Sequence, residues 1–346
     1  MITTREPKRI LVLTKYRFIG DTLLAVPLLR AIKTRWPNAA VTLLTGSAAC
    51  ELLQGCPYLA DTIEFDPYRQ SDQGWRRFLQ AVFRIRHAKY DIAFVCNRSF
   101  HSALLTFLGR VPQRIGWSGF QGRDWMLTKT VPYGLNDPEQ NCYLDLLSPV
   151  ASDYDESTRL DLWLSESEQS NVDLRQISGF HPLIGMQPGA SHAEKQWPLQ
   201  KFSALATELL RDHSNAGFVL IGGKNEANTA QELVKQLDHN VAERTLNLVG
   251  NLRLRETLAY LSRLQLFVAG DTAIRHSAVA LDLPTVALFG PTSLAKWGNA
   301  SPPVHWALQA ESGAVADIDV DDVSKAAQAA LAVPSVESIP VAPGVG

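Results

Sequence analysis

The sequence predicts an α/β protein built from two Rossmann-like, doubly wound domains that face a central cleft. Short apolar runs alternate with amphipathic helical segments along most of the 346 residues, which is typical of parallel sheets covered by helices. The alternation breaks at the polar stretches 148–157 and 165–180, which indicate a domain boundary. Because such sheets bind ligands at the carboxyl ends of their strands, two of them suit a two-substrate enzyme.

The first domain is predicted over residues 1–165. An apolar strand at 9–13, a helix from about Thr22 to Arg35 and a strand at 40–44 form a βαβ unit, which implies a parallel sheet. The further elements predicted in this domain are strands at 62–65, 92–96 and 114–117 and a helix at 74–90.

The second domain is predicted over residues 166–330 as a new series of strands and helices. Its predicted strands lie at 183–187, 217–221, 245–248, 266–269 and 285–289, and its predicted helices at 199–211, 227–237, 254–263 and 273–281. The tail at 331–346 is rich in proline, valine and glycine, and we expect it to be loose.

Composition and charge narrow the class of protein. Hydrophobic residues make up 46% and charged residues 20%, as in folded globular proteins. Residues 1–150 hold 19 Lys and Arg against 12 Asp and Glu, whereas residues 151–346 hold 14 against 23. A basic front half and an acidic back half indicate different ligands, with ordinary surface charge as the alternative. Without a basic balance or a known motif, no nucleic-acid partner is expected.

The sequence also bears on location and metals. No apolar run approaches the roughly 20 residues that span a bilayer, and the run 10–13 is too short for a signal-peptide core, so the expected location is cytoplasmic. The four cysteines are Cys50, Cys56, Cys96 and Cys142. They lack metal-ligand or CxxC spacing, so we expect reduced, buried thiols and no metal site.

The first candidate site residue is Asp21, which follows Gly20 where the first strand gives way to a helix. The glycine permits a close approach to the backbone, and the helix dipole favours an ionised aspartate. Such a carboxylate suits a general base for a hydroxyl group. A helix cap is the alternative, since aspartate often caps helices.

A second candidate loop runs from Gln187 to Pro198, after a predicted strand. Its small residues expose backbone N–H groups, while Ser191 offers a hydroxyl and Lys195 a positive charge for a phosphate. A solvated surface lysine is the alternative. The loop does not match a P-loop.

Two further loops contain residues suited to nucleotide binding, and the first of them follows the strand predicted at 217–221. Gly222 and Gly223 permit close approach, and Glu226 could accept hydrogen bonds from ribose hydroxyls or simply cap a helix. The sequence lacks GxGxxG, which argues against a dinucleotide-dependent oxidoreductase.

The last loop, 270–276, leads into a helix whose N-terminal N–H groups could bind a pyrophosphate. Asp271 would there accept hydrogen bonds from sugar hydroxyls. His276 lies one turn into the helix, where a structural histidine is the alternative.

In this order and spacing, these four elements resemble glycosyltransferase family 9, the bacterial ADP-heptose:lipopolysaccharide heptosyltransferases. The resemblance extends from about Arg9 to Trp297 and is completed by the run 284–292. It implies a GT-B fold and an inverting transfer that needs neither metal nor cofactor. The sugar would be a heptose or a related sugar, moved from a nucleotide-diphosphate donor such as ADP-heptose to a lipopolysaccharide core or related glycan.

The resemblance also assigns roles to residues. It makes Asp21 the catalytic base and Lys195 the residue that holds the donor phosphate. The residues that it assigns to donor binding are Ser191, Gly222, Gly223, Glu226, Asp271, Thr272, Ala273 and His276. The family usually has glycine at position 273 and an uncharged residue at 275, so Ala273 and Arg275 bear on donor choice. The alternatives are another GT-B transferase or epimerase that acts on a different nucleotide sugar, and a non-catalytic nucleotide-sugar binder.

The acceptor side is expected in the basic first domain, where segment 74–90 interleaves arginines with aromatic and aliphatic residues. Arginine suits phosphate, and a basic amphipathic helix can contact an anionic membrane. The candidate acceptor-binding residues are Arg17, Arg76, Arg98 and Arg123. The expected acceptor is a phosphorylated, lipid-linked glycan at the inner face of the inner membrane. The alternative is a helix that packs its apolar face on its own sheet.

Overall fold

A computed structural model describes residues 6–66, 74–190 and 192–334. The chain divides into two compact units, the first reaching to Asp161 and the second beginning at Leu162. Within the described ranges, no helix combines the length and the apolar character needed to cross a membrane.

The described part of the first unit contains a six-stranded parallel sheet. Its strands are β1 (Arg9–Leu13), β2 (Ala40–Thr45), β3 (Asp61–Glu64), β4 (Ile92–Val95), β5 (Gln113–Trp117) and β6 (Lys129–Val131). Their order, β3-β2-β1-β4-β5-β6, is the Rossmann order. Strands β1 and β4 are almost fully buried, which explains why they appear in the sequence as continuous apolar runs.

Helices join the strands of the first unit. They are α1 (Ile19–Leu23), α2 (Val26–Arg35), α3 (Ser47–Leu52), α4 (Gly74–Ala88), α5 (Phe100–Leu108) and α6 (Glu139–Leu144), with 3₁₀ helices at Asp124–Met126 and Asp145–Leu147. The single helix predicted from Thr22 to Arg35 is wrong, because the chain forms α1 and α2 instead. Pro27 lies in the first turn of α2, where its missing N–H and fixed φ start a helix rather than continue one.

The described part of the second unit repeats the same architecture, with a six-stranded parallel sheet in the order β12-β11-β10-β7-β8-β9. Its strands are β7 (Leu183–Met186), β8 (Gly217–Leu220), β9 (Thr245–Asn247), β10 (Leu266–Gly270), β11 (Thr285–Phe289) and β12 (His305–Gln309). The predicted class, two Rossmann-like doubly wound α/β domains, is confirmed.

Helices lie along the whole described length of the second unit. They are α7 (Glu166–Ser170), α8 (Leu199–Asp212), α9 (Ala227–Gln236), α10 (His239–Ala242), α11 (Leu254–Leu261), α12 (Ala273–Ala280), α13 (Leu294–Trp297) and α14 (Val320–Leu331), with 3₁₀ helices at Arg175–Ile177, Ala193–Lys195, Lys224–Glu226 and Val315–Asp317. The sequence did not predict β12 or α14. Val323, Ala327 and Ala330 bury α14 in the main core of this unit, so it is part of the domain. Residues 335–346 of the predicted loose tail lie outside the described range.

Candidate functional site

The strand order sets where each unit can bind a ligand. In both sheets the first and fourth strands are neighbours, β1 with β4 and β7 with β10, and the sheet order reverses there. The carboxyl ends of such a pair leave a crevice in which doubly wound sheets bind ligands. Lys15 follows β1, Gln187 follows β7 and Asp271 follows β10, so the candidate loops lie at these reversal points.

Asp21 lies in α1, and its side chain is only 14% exposed. The N-cap of α1 is Phe18, so Asp21 is not the cap that the sequence left open as an alternative. Its carboxylate instead accepts a hydrogen bond from the Lys15 ammonium. Burial raises the pKa of Asp21 above its usual value, and Lys15 partly offsets this. The result is a buried carboxylate beside a cation, a suitable environment for a base.

A second carboxylate, Glu139, shares this ammonium. Lys15 Nζ lies 3.9 Å from Glu139 Oε1, and the Glu139 side chain is 1% exposed. The hydroxyl of Tyr133 donates to Glu139 Oε2 at 2.5 Å. Burial, then this hydrogen-bonded carboxylate, raises the pKa of Tyr133, so the phenol stays a proton donor. Lys15 therefore lies between the carboxylates of Asp21 and Glu139, and Glu139 also accepts a hydrogen bond from the neutral phenol of Tyr133.

The four candidate acceptor arginines lie in different surroundings. Arg98 lies over the Tyr133 ring at 5.2 Å, and its charge lowers the pKa of Asp21. Arg17 pairs with Asp66 at 3.4 Å and is half exposed. Arg76 is exposed on α4, 5.5 Å from the ring of its neighbour Trp75.

Arg123 does not fit the role expected of it. It is fully buried, with Nη1 donating to the carbonyls of Asn97 and Ser99 at 2.5 and 3.3 Å and Nη2 to that of Trp117 at 3.1 Å. Because this guanidinium is buried and donates to backbone carbonyls, it holds loops of the first unit together and offers no accessible group to an acceptor. Direct acceptor contact by Arg123 is therefore a prediction that its placement contradicts.

In the second unit, two predicted residues from separate loops come together. Lys195 ends the 3₁₀ helix Ala193–Lys195, and its Nζ lies 3.8 Å from Asp271 Oδ2. The loop is held by Trp197, whose indole N–H donates to the carbonyl of Ile318 at 3.1 Å and whose ring packs on Phe202. A buried tryptophan two residues away thus fixes the backbone from which Lys195 projects.

Asp271 lies near two further basic side chains, Arg275 and His276. Its Oδ1 lies 3.5 Å from Arg275 Nη2 and 3.9 Å from His276 Nε2. Arg275 is fully buried, and its guanidinium also donates to the carbonyls of Trp297 and Gly298 at 2.6 and 3.0 Å. Burial, and then Arg275, holds the pKa of His276 well below its usual range, so this imidazole is neutral. Arg275 therefore fixes Asp271 and the loop after α13.

Gln187 connects three of the predicted donor-binding loops. The hydroxyl of Thr272, the N-cap of α12, donates to Gln187 Oε1 at 2.8 Å and accepts the backbone N–H of Arg275. Gln187 Nε2 donates to the two carboxylate oxygens of Glu226 at 3.2 and 3.1 Å. Ala273 is the first residue of α12. One amide thus links the loops after β7, β8 and β10.

Glu226 occupies the N-cap position of α9, as the helix-cap alternative expects, but its side chain makes no capping hydrogen bond. Burial raises its pKa, partly offset by hydrogen bonds from Gln187 and the Gly223 backbone. A Cβ at Gly222 would lie 2.3 Å from Glu226 Oε2, and one at Gly189 2.5 Å from its Cγ. These two glycines make room for the glutamate side chain.

Ser191 lies outside the described residues. Among the described residues, no three His, Cys, Asp or Glu side chains gather where they could hold a metal ion.

Sequence reasoning missed Lys15, Glu139, Tyr133 and the linking role of Gln187. Lys15 and Gln187 follow buried strands, so their positions at strand ends could have identified them. Glu139 opens a short helix far along the chain, and nothing local marks it.

The two Rossmann-ordered sheets, each with polar loops at its reversal point, define an α/β protein of the nucleotide-binding class. The pattern of glycosyltransferase family 9 (heptosyltransferase) matches residues 76–324, and the chain belongs to this family. It is thus a glycosyltransferase with the GT-B fold, as the resemblance implied.

Individual relatives agree with the family. The chain is 29% identical over 300 residues to lipopolysaccharide heptosyltransferase 2 of Salmonella typhimurium, covering 80% of this chain and 81% of that one. The structure of E. coli ADP-heptose LPS heptosyltransferase II superposes with a TM-score of 0.76 at 25% identity, covering 93% of this chain and 98% of the other. A family 9 glycosyl transferase from Veillonella parvula has the same fold, with a TM-score of 0.80 at 19% identity over 94% and 97% of the two chains.

Proposed function

We propose that this protein transfers a heptose from ADP-heptose to a lipopolysaccharide core acceptor, with inversion at the anomeric carbon and without a metal ion. Family membership supports heptosyl transfer. The names of the relatives from S. typhimurium and E. coli support the acceptor and the ADP-linked donor. The observation that carries the proposal is the Lys195–Asp271 pair at the reversal point of the second sheet, beside the start of α12.

We assign the donor to the second unit. The diphosphate would lie against the N-terminal N–H groups of α12 and the Lys195 ammonium, which together stabilise the charge that develops as ADP leaves. Asp271, fixed by Arg275, would accept hydrogen bonds from sugar hydroxyls. Glu226, fixed by Gln187, would accept them from the ribose. Lysine and backbone dipoles supply the positive charge that a metal ion supplies in other transferases.

We assign the base to Asp21 in the first unit. Its carboxylate takes the proton of an acceptor hydroxyl, whose oxygen forms a bond to the anomeric carbon from the face opposite the diphosphate. The bond between that carbon and the diphosphate oxygen breaks at the same time, and ADP keeps the electron pair. Burial raises the pKa of Asp21, and the Lys15 ammonium partly offsets this effect and favours the charged carboxylate. This displacement inverts the anomeric configuration.

The acceptor in this proposal is a phosphorylated, lipid-linked glycan, and the protein works in the cytoplasm at the inner face of the inner membrane. The basic balance of residues 1–150 suits such an acceptor. Arg98, close to Asp21, and the partly exposed Arg17 are the arginines best placed to meet its phosphates.

Thermal unfolding with ADP-, UDP- and GDP-sugars tests the donor assignment. A donor at a hundred times its Kd should stabilise the protein by about 2.7 kcal/mol. We expect the ADP-sugar to stabilise the protein and EDTA to leave both binding and turnover unchanged. Stabilisation by a UDP- or GDP-sugar alone would favour a different transferase or an epimerase. Binding without any turnover would favour a non-catalytic binder.

A further inference from the structure

Two exposed apolar side chains lie in loops next to the carboxylate that we assign as the base. Phe18 is 64% exposed and precedes Asp21 by three residues, between β1 and α1. Leu135 is 69% exposed and precedes Glu139 by four residues, between β6 and α6. Both loops follow the carboxyl ends of parallel strands, the edge at which doubly wound sheets bind ligands. A single exposed apolar side chain is ordinary on a protein surface, whereas two in loops that meet at one reactive group indicate a shared role.

The contacts of Lys15 bring these two loops together. Its ammonium donates a hydrogen bond to Asp21, and its Nζ lies 3.9 Å from Glu139 Oε1. The hydroxyl of Tyr133 donates to the same glutamate at 2.5 Å. Leu135 lies between Tyr133 and Glu139 in the chain, so it projects from a loop whose two ends meet at the base.

The backbone that carries Phe18 is held firmly from below. The hydroxyl of Thr22 donates to Thr14 Oγ1 at 3.1 Å, and that of Thr14 donates to Thr45 Oγ1 at 2.8 Å. Tyr16 is buried, and the carbonyl of Phe18 accepts the backbone N–H of Thr22 at 3.3 Å. An exposed ring on a fixed backbone is a preorganised contact surface, because little conformational entropy is lost when a ligand covers it.

Other aromatic rings near the base already carry a partner. The Arg98 guanidinium lies 5.3 Å from the ring centroid of Phe120 and 5.2 Å from that of Tyr133. The Tyr133 ring also packs edge-on against Trp117, with centroids 4.9 Å apart. The Phe18 ring is largely open to solvent instead. It is therefore the ring beside the base that is best able to receive a ligand.

The chemistry of a sugar ring matches such a surface. The faces of a pyranose carry C–H groups that the neighbouring oxygens polarise, and the face of an aromatic ring is electron-rich and attracts them. A sugar ring that stacks in this way keeps its hydroxyl groups at its rim, where they remain free for hydrogen bonds and for proton transfer. Binding sites commonly combine an apolar lining with a few polar groups of this kind.

We propose that Phe18 is the stacking platform for the acceptor sugar ring whose hydroxyl group Asp21 deprotonates, and that Leu135 covers an apolar edge of the same acceptor. The proposal rests on the proposed function and adds an uncharged acceptor-binding residue to it. Arg17 and Arg98 are assigned to phosphates, whereas Phe18 recognises the sugar itself. An acceptor without phosphate groups therefore still depends on Phe18.

Steady-state kinetics with ADP-heptose and a lipid-free core oligosaccharide test the proposal. Phe18→Ser should raise the KM for the oligosaccharide about 10-fold. The kcat, the KM for ADP-heptose and the Tm should stay unchanged, because the side chain is mostly exposed and contributes binding rather than chemistry. Phe18→Trp should restore most of the lost affinity, since it supplies another aromatic ring. Leu135→Ser should raise the same KM by a smaller factor.

The matched control is Trp125→Ser. Trp125 is 63% exposed, as Phe18 nearly is, and its ring packs on Phe107 at the end of α5 with centroids 5.2 Å apart. Because α5 ends shortly before β5 begins, this aromatic pair lies towards the amino end of the sheet, away from the loops that carry the base. Trp125→Ser should therefore leave the KM for the oligosaccharide unchanged.

Saturation-transfer NMR measures the acceptor contact without turnover, since ADP-heptose is left out. Irradiation of the aromatic protons should reach the C–H protons of the oligosaccharide in the unaltered protein and much less in Phe18→Ser. The proposal is overturned by an unchanged KM in Phe18→Ser, by an equal rise in Trp125→Ser, or by the absence of transferred saturation in the unaltered protein. Sugar transfer with an unchanged KM in Phe18→Ser would refute the platform alone, whereas Phe18-dependent contact without any transfer would refute the proposed function alone.

Discussion

The charge arrangement around Asp21 makes a prediction in which two substitutions act in opposite directions. Lys15 bonds Asp21 and lies 3.9 Å from Glu139. Besides burial, which raises it most, the pKa of Asp21 is lowered by Lys15 and Arg98 and raised by Glu139. The charge of Asp21 in turn acts on the buried Tyr143. Lys15→Met should therefore raise the pKa of Asp21, and Glu139→Gln should lower it.

The size of the catalytic effect follows from what Asp21 does. Asp21→Asn keeps the shape of a side chain that is only 14% exposed, so the fold should persist while the proton acceptor is lost. A positioned base contributes about 10²–10⁴-fold, so kcat should fall by that factor, which is roughly 2.7–5.4 kcal/mol of barrier. Two unit charges about 4 Å apart, the separation of Lys15 and Glu139, interact by about 4 kcal/mol at an effective dielectric constant of 20. Because both charges also act on Asp21, removing either of them is enough to shift the pKa of Asp21.

The assay is the pH dependence of kcat/KM for sugar transfer. A base must be ionised to act, so the rate falls as the pH drops through the pKa of Asp21. The acid limb should move to higher pH in Lys15→Met and to lower pH in Glu139→Gln, while donor affinity stays constant. Limbs that move together, or not at all, would refute the assignment of Asp21 as the base, as would an Asp21→Asn variant with normal turnover.

Three further predictions concern the second unit. Gly222→Ala places a Cβ 2.3 Å from Glu226 Oε2, so denaturant unfolding should show a loss of about 1–3 kcal/mol and calorimetry a weaker ADP-sugar complex. The control for stability is Gly223→Ala, whose nearest neighbour is 3.4 Å away, and it should leave the unfolding free energy unchanged. Arg275→Met removes a buried guanidinium from its carboxylate and carbonyl partners and should cost about 3–5 kcal/mol of unfolding free energy, whereas a cost below 1 kcal/mol would contradict that role. Burial lowers the pKa of His305 to about 4, below its ordinary 6.5, so the unfolded chain binds a proton at this residue before the folded protein does. The free energy of unfolding should therefore fall as the pH drops from 6.5 towards 4. His305→Asn should flatten this decline in denaturation curves, and an unchanged slope would contradict burial as the cause.

The fold was predictable because the central strands are buried on both sides. Strands such as β1, β10 and β11 have no exposed position beyond the first residue of β1, so they appear as plain apolar runs. Edge strands carry a weaker signal. The edge strands β3 and β9 were predicted, whereas β6, with two of its three residues exposed, and the partly buried β12 were not.

The candidate site was predictable where one loop carries the chemistry. Asp21 and Lys195 were identified as candidates because each lies in the segment between a strand and the next long helix, after β1 and β7 respectively, and their roles remain predictions. The Lys15–Glu139 contact joins distant parts of the chain, and only the packing of α6 brings it about. Arg275 illustrates the opposite difficulty, since a charged residue one turn into a helix gives no sign that it is buried.

The most direct test of the account is the structure of the product. The protein is incubated with ADP-heptose and a lipid-free lipopolysaccharide core oligosaccharide, and the product is examined by mass spectrometry and NMR. We predict an acceptor that has gained one heptose, joined with the anomeric configuration opposite to that of the donor. A product with retained configuration, or transfer from a UDP- or GDP-sugar in place of ADP-heptose, would contradict the account.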